Sequence, residues 1–308
     1  MPKYSVARSI TIQSDARTVF EKVADFGTWT TWSPWLCAEP DAKVTVSENS
    51  NSIGSGYSWE GDITGAGEIE HVRLDPGQHI EDEIRFLKPF KSTSRVSFDF
   101  QPSGAGTEVT WRMDGALPWF MFWMKPMMES FIGMDYDRGL SMMKEWIETG
   151  GILSDTQNKG IQSVGPIAMA GVRTTCDFRK IAASMESDVA KARHEFERHG
   201  VSTDNGSISV YHNFNVKKQL MDYTCGFVVE RPVDLPGINY WEIGNVQALR
   251  VDHVGSYSNL GNAWNAANMI ARAKKLKQSK AGAFELYRNE PSDTEPANLV
   301  TEIYLPLK

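Results

Sequence analysis

The segment Val164-Gly165-Pro166-Ile167-Ala168-Met169-Ala170-Gly171-Val172-Arg173-Thr174-Thr175 returns further along the chain as Ile243-Gly244-Asn245-Val246-Gln247-Ala248-Leu249-Arg250-Val251-Asp252-His253-Val254. Two more pairs follow in the same order: Ser207 to Phe214 (SISVYHNF) with Ala283 to Glu290 (AFELYRNE), and Tyr223 to Val229 (YTCGFVV) with Val300 to Pro306 (VTEIYLP). Helical patterns over Ile181 to His199 and Leu260 to Leu276 lie between the first and second members. Each copy therefore reads strand, helix, strand, strand. Two such βαββ units side by side predict one antiparallel sheet with both helices on a single face, and a groove along the pseudo-twofold axis. That groove is the natural place for a ligand.

Upstream the pattern differs. Tyr4 to Ile12 alternates like a strand, and Ser14-Asp15-Ala16-Arg17 opens an amphipathic helix through Val23. Strand-like stretches follow at Gly56 to Asp62, Ala66 to Leu74, His79 to Leu87, Ser92 to Phe100 and Thr107 to Gly115. Asp75-Pro76-Gly77 and Pro102-Ser103-Gly104-Ala105-Gly106 are turn sequences that join antiparallel neighbours, so these stretches predict a meander. From Met124 to Glu148 apolar residues recur at helical spacing. A long helix laid over the sheet buries both apolar faces, which makes the whole chain α+β.

The Gly-rich, polar run Thr149 to Gly160 marks a boundary. The expected organisation is a first domain over residues 1–149, a linker over 150–160 and a second domain over 161–308, consistent with 308 residues. Apolar residues make up 41% of the chain and charged residues 23%, so it can fill real cores. Eight of its ten Trp lie in the first half, where such rings either fill a core or line a cavity. Residues 1–150 carry 14 basic and 22 acidic side chains and the remainder 18 and 17, so neither half has the basic excess of a nucleic-acid binder. The apolar run Ala116 to Met124 is too short for a membrane span. Three scattered cysteines and an N-terminus without a signal-like apolar region point to a cytoplasmic protein.

Nucleotide, serine-hydrolase and metalloenzyme motifs are missing, and the six His are not clustered at ligand spacing. No metal site or cofactor is expected.

Asp25-Phe26-Gly27-Thr28-Trp29-Thr30-Thr31-Trp32-Ser33-Pro34-Trp35, Gly65-Ala66-Gly67-Glu68, Lys88-Pro89-Phe90, Gly106-Thr107-Glu108-Val109-Thr110-Trp111 and the final long helix resemble the SRPBCC superfamily, the START-like, polyketide cyclase group. That resemblance implies a helix-grip fold: a curved antiparallel sheet around a long C-terminal helix, enclosing a cavity for lipids, hormones or polyketides. Trp59, His71, Trp111, Trp119 and Met143 are then candidate lining residues, with Arg73 or Glu70 as polar contacts; core packing remains open for each ring.

The second half resembles the GyrI-like small-molecule-binding domain, also the effector-binding domain of multidrug-sensing regulators. Arg250 to Tyr257 (RVDHVGSY), Phe284-Glu285-Leu286-Tyr287 and Thr301 to Leu307 carry the likeness. It implies an aromatic pocket for lipophilic cations with a carboxylate at its base, and the matching position is Glu302. Tyr287, Trp264, Tyr257, Tyr211 and Phe227 are the expected walls. An empty pocket would raise the pKa of that Glu. Alternation sets Glu302 and Tyr304 on one face, Ile303 and Leu305 on the other, and leaves open whether Glu302 meets the pocket or an Arg. Glu285 is a weaker candidate, opposite Phe284 and Leu286 along its strand. The segment His212 to Val216 departs from the family's first repeat and changes one expected pocket rim.

The expected function is binding of a hydrophobic or aromatic small molecule, cationic ones included, for sensing, sequestration or detoxification. Any link to transcription would run through a separate DNA-binding partner, because no recognition helix is visible. The alternative is a cyclase or hydrolase in which Glu302 and Tyr287 act as an acid–base pair. The sequence leaves a homodimer open.

Overall fold

The computed structural model describes residues 2–215 and 218–308, so Val216, at the end of the departing segment, lies outside the described residues. The chain divides into two compact units, residues 1–153 and 154–308.

The first unit runs β1 (Lys3–Ile12), α1 (Ala16–Ala24), α2 (Trp29–Trp32), β2 (Lys43–Val46), β3 (Gly56–Gly61), β4 (Gly65–Asp75), β5 (His79–Lys88), β6 (Ser92–Ser103), β7 (Gly106–Ala116) and α3 (Lys125–Thr149). Asp15 caps α1 by accepting a hydrogen bond from the Thr18 backbone N–H at 3.0 Å. Gly150, at φ 87°, closes α3 and donates its N–H to the Trp146 carbonyl. Strand order is β1-β7-β6-β5-β4-β3-β2, entirely antiparallel, with β1 returning to pair with β7. This is the expected curved sheet around a long helix, with one strand more than the alternation revealed. The extra strand, β2, is a four-residue edge strand, and its pattern, Lys43-Val44-Thr45-Val46, is too short to stand out.

The core of this unit is aromatic. Trp29, Trp32 and Phe26 of the first helical segments meet Phe98 of β6, Trp111 of β7 and Tyr136 of α3. Trp111 stacks on Tyr136 at 3.9 Å between centroids and on Phe98 at 5.0 Å. Concentrating apolar area in large rings is how one long helix and two short ones cover so broad a sheet.

The second unit runs β8 (Asp155–Val164), β9 (Ile167–Asp177), α4 (Ile181–His199), β10 (Ser207–Asn215), β11 (Leu220–Val228), β12 (Asn239–Ile243), β13 (Val246–Val254), α5 (Leu260–Ala273), β14 (Ala283–Tyr287) and β15 (Val300–Pro306). The strand order β12-β9-β11-β10-β14-β15-β13-β8 is symmetric about the β10–β14 pair. The duplicated βαββ units thus meet at the centre of a single antiparallel sheet. Both helices pack on one face: Ala192 and Phe196 of α4 against Phe227, and α5 against β13, β15 and β8.

Two expectations change. The run 150–160 is not a linker over its length, because β8 starts at Asp155 and pairs with β13. Each quoted repeat start also breaks in two: Gly165, at φ 99°, turns the chain between β8 and β9, and Gly244-Asn245 separates β12 from β13. β8 then pairs with the second repeat and β12 with the first, so the two copies exchange edge strands.

Candidate functional site

The centre of the second sheet places Glu285 of β14 opposite Ser209 of β10 and Ile303 of β15. Its side chain faces the helices and is fully buried. Three donors converge on it: the Tyr211 hydroxyl at 2.8 Å, the Tyr287 hydroxyl and the Trp264 indole N–H. Tyr211 is on β10, Tyr287 on β14 and Trp264 on α5, so both repeats and one helix build the cluster. Tyr211 meets Trp264 edge to face at 5.0 Å, and Tyr257, in the turn before α5, meets Tyr287 at 5.8 Å. On the other side the Tyr211 hydroxyl reaches the Met185 sulfur of α4 at 3.7 Å.

Burial raises the Glu285 pKa above its ordinary value, and the three hydrogen bonds oppose that rise without cancelling it. Among the described residues no Lys, Arg or His forms an ion pair with it. Burial and the nearby carboxylate push both Tyr phenols well above ten, so they stay protonated and donate. The rings of Tyr211, Tyr287 and Trp264 remain partly exposed and Tyr257 more so, whereas the carboxylate they surround is buried. The result is an aromatic cup with an uncompensated acid at its base. Chemically it offers acceptor capacity and negative charge in a low-dielectric setting, with π faces around it.

Glu302 is elsewhere. It pairs with Leu286 of β14, not Glu285, and opens onto the sheet face away from the helices, together with Tyr304 and Phe284. There it accepts hydrogen bonds from Arg250 at 2.6 Å, from Arg288 at 2.5 Å and from Tyr304 at 2.8 Å. Burial would raise its pKa, but those hydrogen bonds and the two guanidinium charges outweigh burial and hold it below the ordinary value. The expected raised pKa belongs to Glu285. Tyr287 and Glu302 cannot form an acid–base pair across the sheet; the carboxylate beside the Tyr287 hydroxyl is Glu285. Phe227 is fully buried against Phe196 at 5.5 Å with the Arg193 guanidinium 4.8 Å above it, so it is core beneath α4 and not a wall of the cup. The signal for Glu285 lay in pairing: once β10 and β14 are the central strands and Glu285 pairs with Ser209, it shares a sheet face with Tyr211 and Tyr287, each two residues along its strand from that pair.

In the first unit, His71 is buried with Nδ1 2.6 Å from Asp82 and Nε2 2.8 Å from the Ala24 carbonyl, stacked on Phe26 at 3.9 Å. Trp111 and Met143 are buried in the aromatic core. Trp59 is partly buried beside Phe86 at 6.0 Å. Arg73 is engaged with Asp75 and Glu70 with Arg85, both near the surface. Trp119 does not line the interior at all, since it projects into solvent. Sequence reasoning passed over Tyr136 and Trp32; the Tyr136 hydroxyl and the indole N–H groups of Trp32 and Trp111 are buried without a hydrogen-bond partner among the described residues. Among the described residues no group of three or more His, Cys, Asp or Glu is placed to hold a metal, and no helix is long and apolar enough to cross a membrane.

The chain thus joins a helix-wrapping sheet to a duplicated sheet with an acid-based aromatic cup. Residues 3–148 match the family described as polyketide cyclase / dehydrase and lipid transport, and residues 161–308 match the GyrI-like small molecule binding domain. The chain is a fusion of one domain from each family. Among solved structures, the C-terminal domain of EcmrR is 19% identical, with 51% of this chain and 98% of that chain covered and a TM-score of 0.42. Protein CV1439 from Chromobacterium violaceum is 14% identical over 47% of this chain and 96% of its own, with a TM-score of 0.37. Aha1 from Colwellia psychrerythraea, solved as a dimer, is 12% identical over 47% and 97%, with a TM-score of 0.35. A comparison with curated proteins finds no match.

Proposed function

We propose that residues 161–308 capture an aromatic, positively charged small molecule against Glu285, in the service of sensing, sequestration or detoxification. The observation that carries this reading is the buried Glu285 carboxylate, held by three neutral donors and, among the described residues, by no cation. A carboxylate in that position is costly when ionised, and an incoming cation supplies the missing charge while the rings of Tyr211, Tyr257, Trp264 and Tyr287 supply cation–π contact. Neutral aromatic molecules gain only the ring contacts. Any effect on transcription would pass through a separate DNA-binding partner.

The test compares N-methylacridinium with acridine, which has nearly the same shape and is neutral at pH 8. Calorimetric titration should show the cation binding at least about tenfold more tightly, a difference of about 1.4 kcal/mol. Glu285→Gln should abolish that preference, while Glu302→Gln should keep it. Equal affinities of the wild-type protein for the two probes would overturn the reading.

A further inference from the structure

The segment Trp119-Phe120-Met121-Phe122-Trp123-Met124 forms a short 3-10 helix between β7 and α3. With three residues per turn, positions i and i+3 share a face, so the segment has three edges: 119/122, 120/123 and 121/124. Only one faces the protein, where Met121 packs against the core. The other two carry rings into solvent, with Trp119, Phe120, Phe122 and Trp123 76%, 58%, 63% and 65% exposed. Met127 and Phe131 continue the apolar surface along the first turns of α3.

A second apolar tip lies at the same end of the sheet. Arg95 pairs with Asp114, so the chain entering β6 from the turn at 89–91 runs beside the chain leaving β7 at Ala116. That turn holds Phe90, 80% exposed, between Lys88 and Lys91. Lys125 follows directly on the aromatic helix.

Four aromatic rings on two adjoining edges do not make the single flat stripe that fits a protein groove. They make a wedge, which suits a fluid apolar medium that closes around it on both sides. Trp and Phe beside Lys are also the residues that settle at the boundary between lipid headgroups and acyl chains, the rings in the boundary and the ammonium groups at phosphate level. We propose that this end of the first unit is a membrane-docking surface, in which residues 119–124 and Phe90 insert into the interface of a lipid bilayer without crossing it. The surface is independent of the Glu285 reading, because none of its residues belongs to the second unit.

The test is flotation of the full chain with vesicles of phosphatidylcholine containing about one third phosphatidylglycerol. Two variants are compared: the combined Trp119→Ser, Phe120→Ser, Phe122→Ser and Trp123→Ser, and the single Phe90→Ser, whose exposed turn position leaves the fold untouched. Wild-type protein should float with the vesicles. Each ring removed from lipid should cost on the order of tenfold in partitioning, so Phe90→Ser should lose about tenfold and the four-ring variant more than about a hundredfold. Wild-type protein remaining in the soluble fraction, or floating equally well with the rings removed, would overturn the proposal. So would a wild-type dimer in light scattering that the four-ring variant converts to monomer without any vesicle binding, since a second copy would then be the occupant.

Discussion

Glu285 and Glu302 stand on neighbouring strands of one sheet yet open onto opposite faces: Glu285 pairs with Ile303, and Glu302 with Leu286. Among the described residues the first is met by neutral donors alone, and the second by two guanidinium groups and the Tyr304 hydroxyl. The same side chain is thereby given two electrostatic characters, a poised charge beneath the helices and a neutralised one on the far face.

Opposite pH dependences follow. The Glu285 pKa is raised above 4.5, so between 4.5 and the raised value the folded state holds a proton that the unfolded chain has released. Stability contributed at this site therefore falls as pH rises through that window. Glu302 is lowered, so its contribution is complete above 4.5 and is lost as pH falls through the depressed value. Melting temperatures measured against pH should show Glu285→Gln gaining on wild type as pH rises, and Glu302→Gln approaching wild type in acid. Parallel curves for both variants would contradict the assignment. Cation affinity at Glu285 should rise with pH through the same window.

Arg250 is the more important partner of Glu302. It bridges Asp252 at 2.6 Å and Glu302 at 2.6 Å, and the side chains of both acids are under a tenth exposed. Arg250→Met takes the nearer cation from Asp252, which keeps Lys159 at 3.9 Å, and one of two guanidinium partners from Glu302, and should cost about 2–4 kcal/mol in urea unfolding. Arg288 reaches Glu302 from a half-exposed position, so solvent screens the pair and Arg288→Met should cost no more than about 1 kcal/mol. Neither change should alter ligand affinity at Glu285, because both act on the face away from the helices.

Periodicity exposed most of this architecture. Long elements such as α3 and α4, and the repeated strands, carry enough residues for a period to show. β2, β8 and β12 escaped: β2 is four residues long, β8 is polar along most of its length, and β12 is distinguished only by pairing with the other repeat. Alternation correctly separated Glu302 and Tyr304 from Ile303 and Leu305, but it cannot say which face carries helices. That depends on pairing between residues some 75 positions apart, as Ser209 with Glu285. Trp119 failed for a different reason, since a ring's composition gives no sign of whether the fold turns it inward.

The His71–Asp82 pair ties β4 and β5 to the end of α1. The Ala24 carbonyl can only accept, so Nε2 carries a proton and Nδ1 receives one from Asp82 when the ring is neutral. Burial raises the Asp82 pKa against the opposing hydrogen bond and charge of His71, which favours that arrangement. Asp82→Asn keeps a donor toward Nδ1 and should cost less than about 1 kcal/mol, while Asp82→Leu leaves a buried acceptor unmet and should cost about 1–3 kcal/mol. Equal destabilisation in chemical denaturation would show that charge, and not the shared proton, holds the pair.

Two glycines of α3 measure how closely that helix lies on its sheet. Alanine favours a helix over glycine by about 1 kcal/mol, so each Gly→Ala change begins with a gain. At Gly133 the added Cβ meets only the end of the Arg8 guanidinium, which can swing away and give up an exposed ion pair with Asp137 worth less than about 1 kcal/mol. At Gly139 it meets Trp111 Cζ3 at 2.7 Å and the Pro34 ring at 3.3 Å. Trp111 has no room to retreat, being stacked on Tyr136 and Phe98. Gly133→Ala should therefore leave the melting temperature unchanged or raise it, and Gly139→Ala should lose about 1–3 kcal/mol to overpacking. If Gly139→Ala were instead neutral, the aromatic core would have slack beside Trp111, and an interior guest there would need no displacement of the helix.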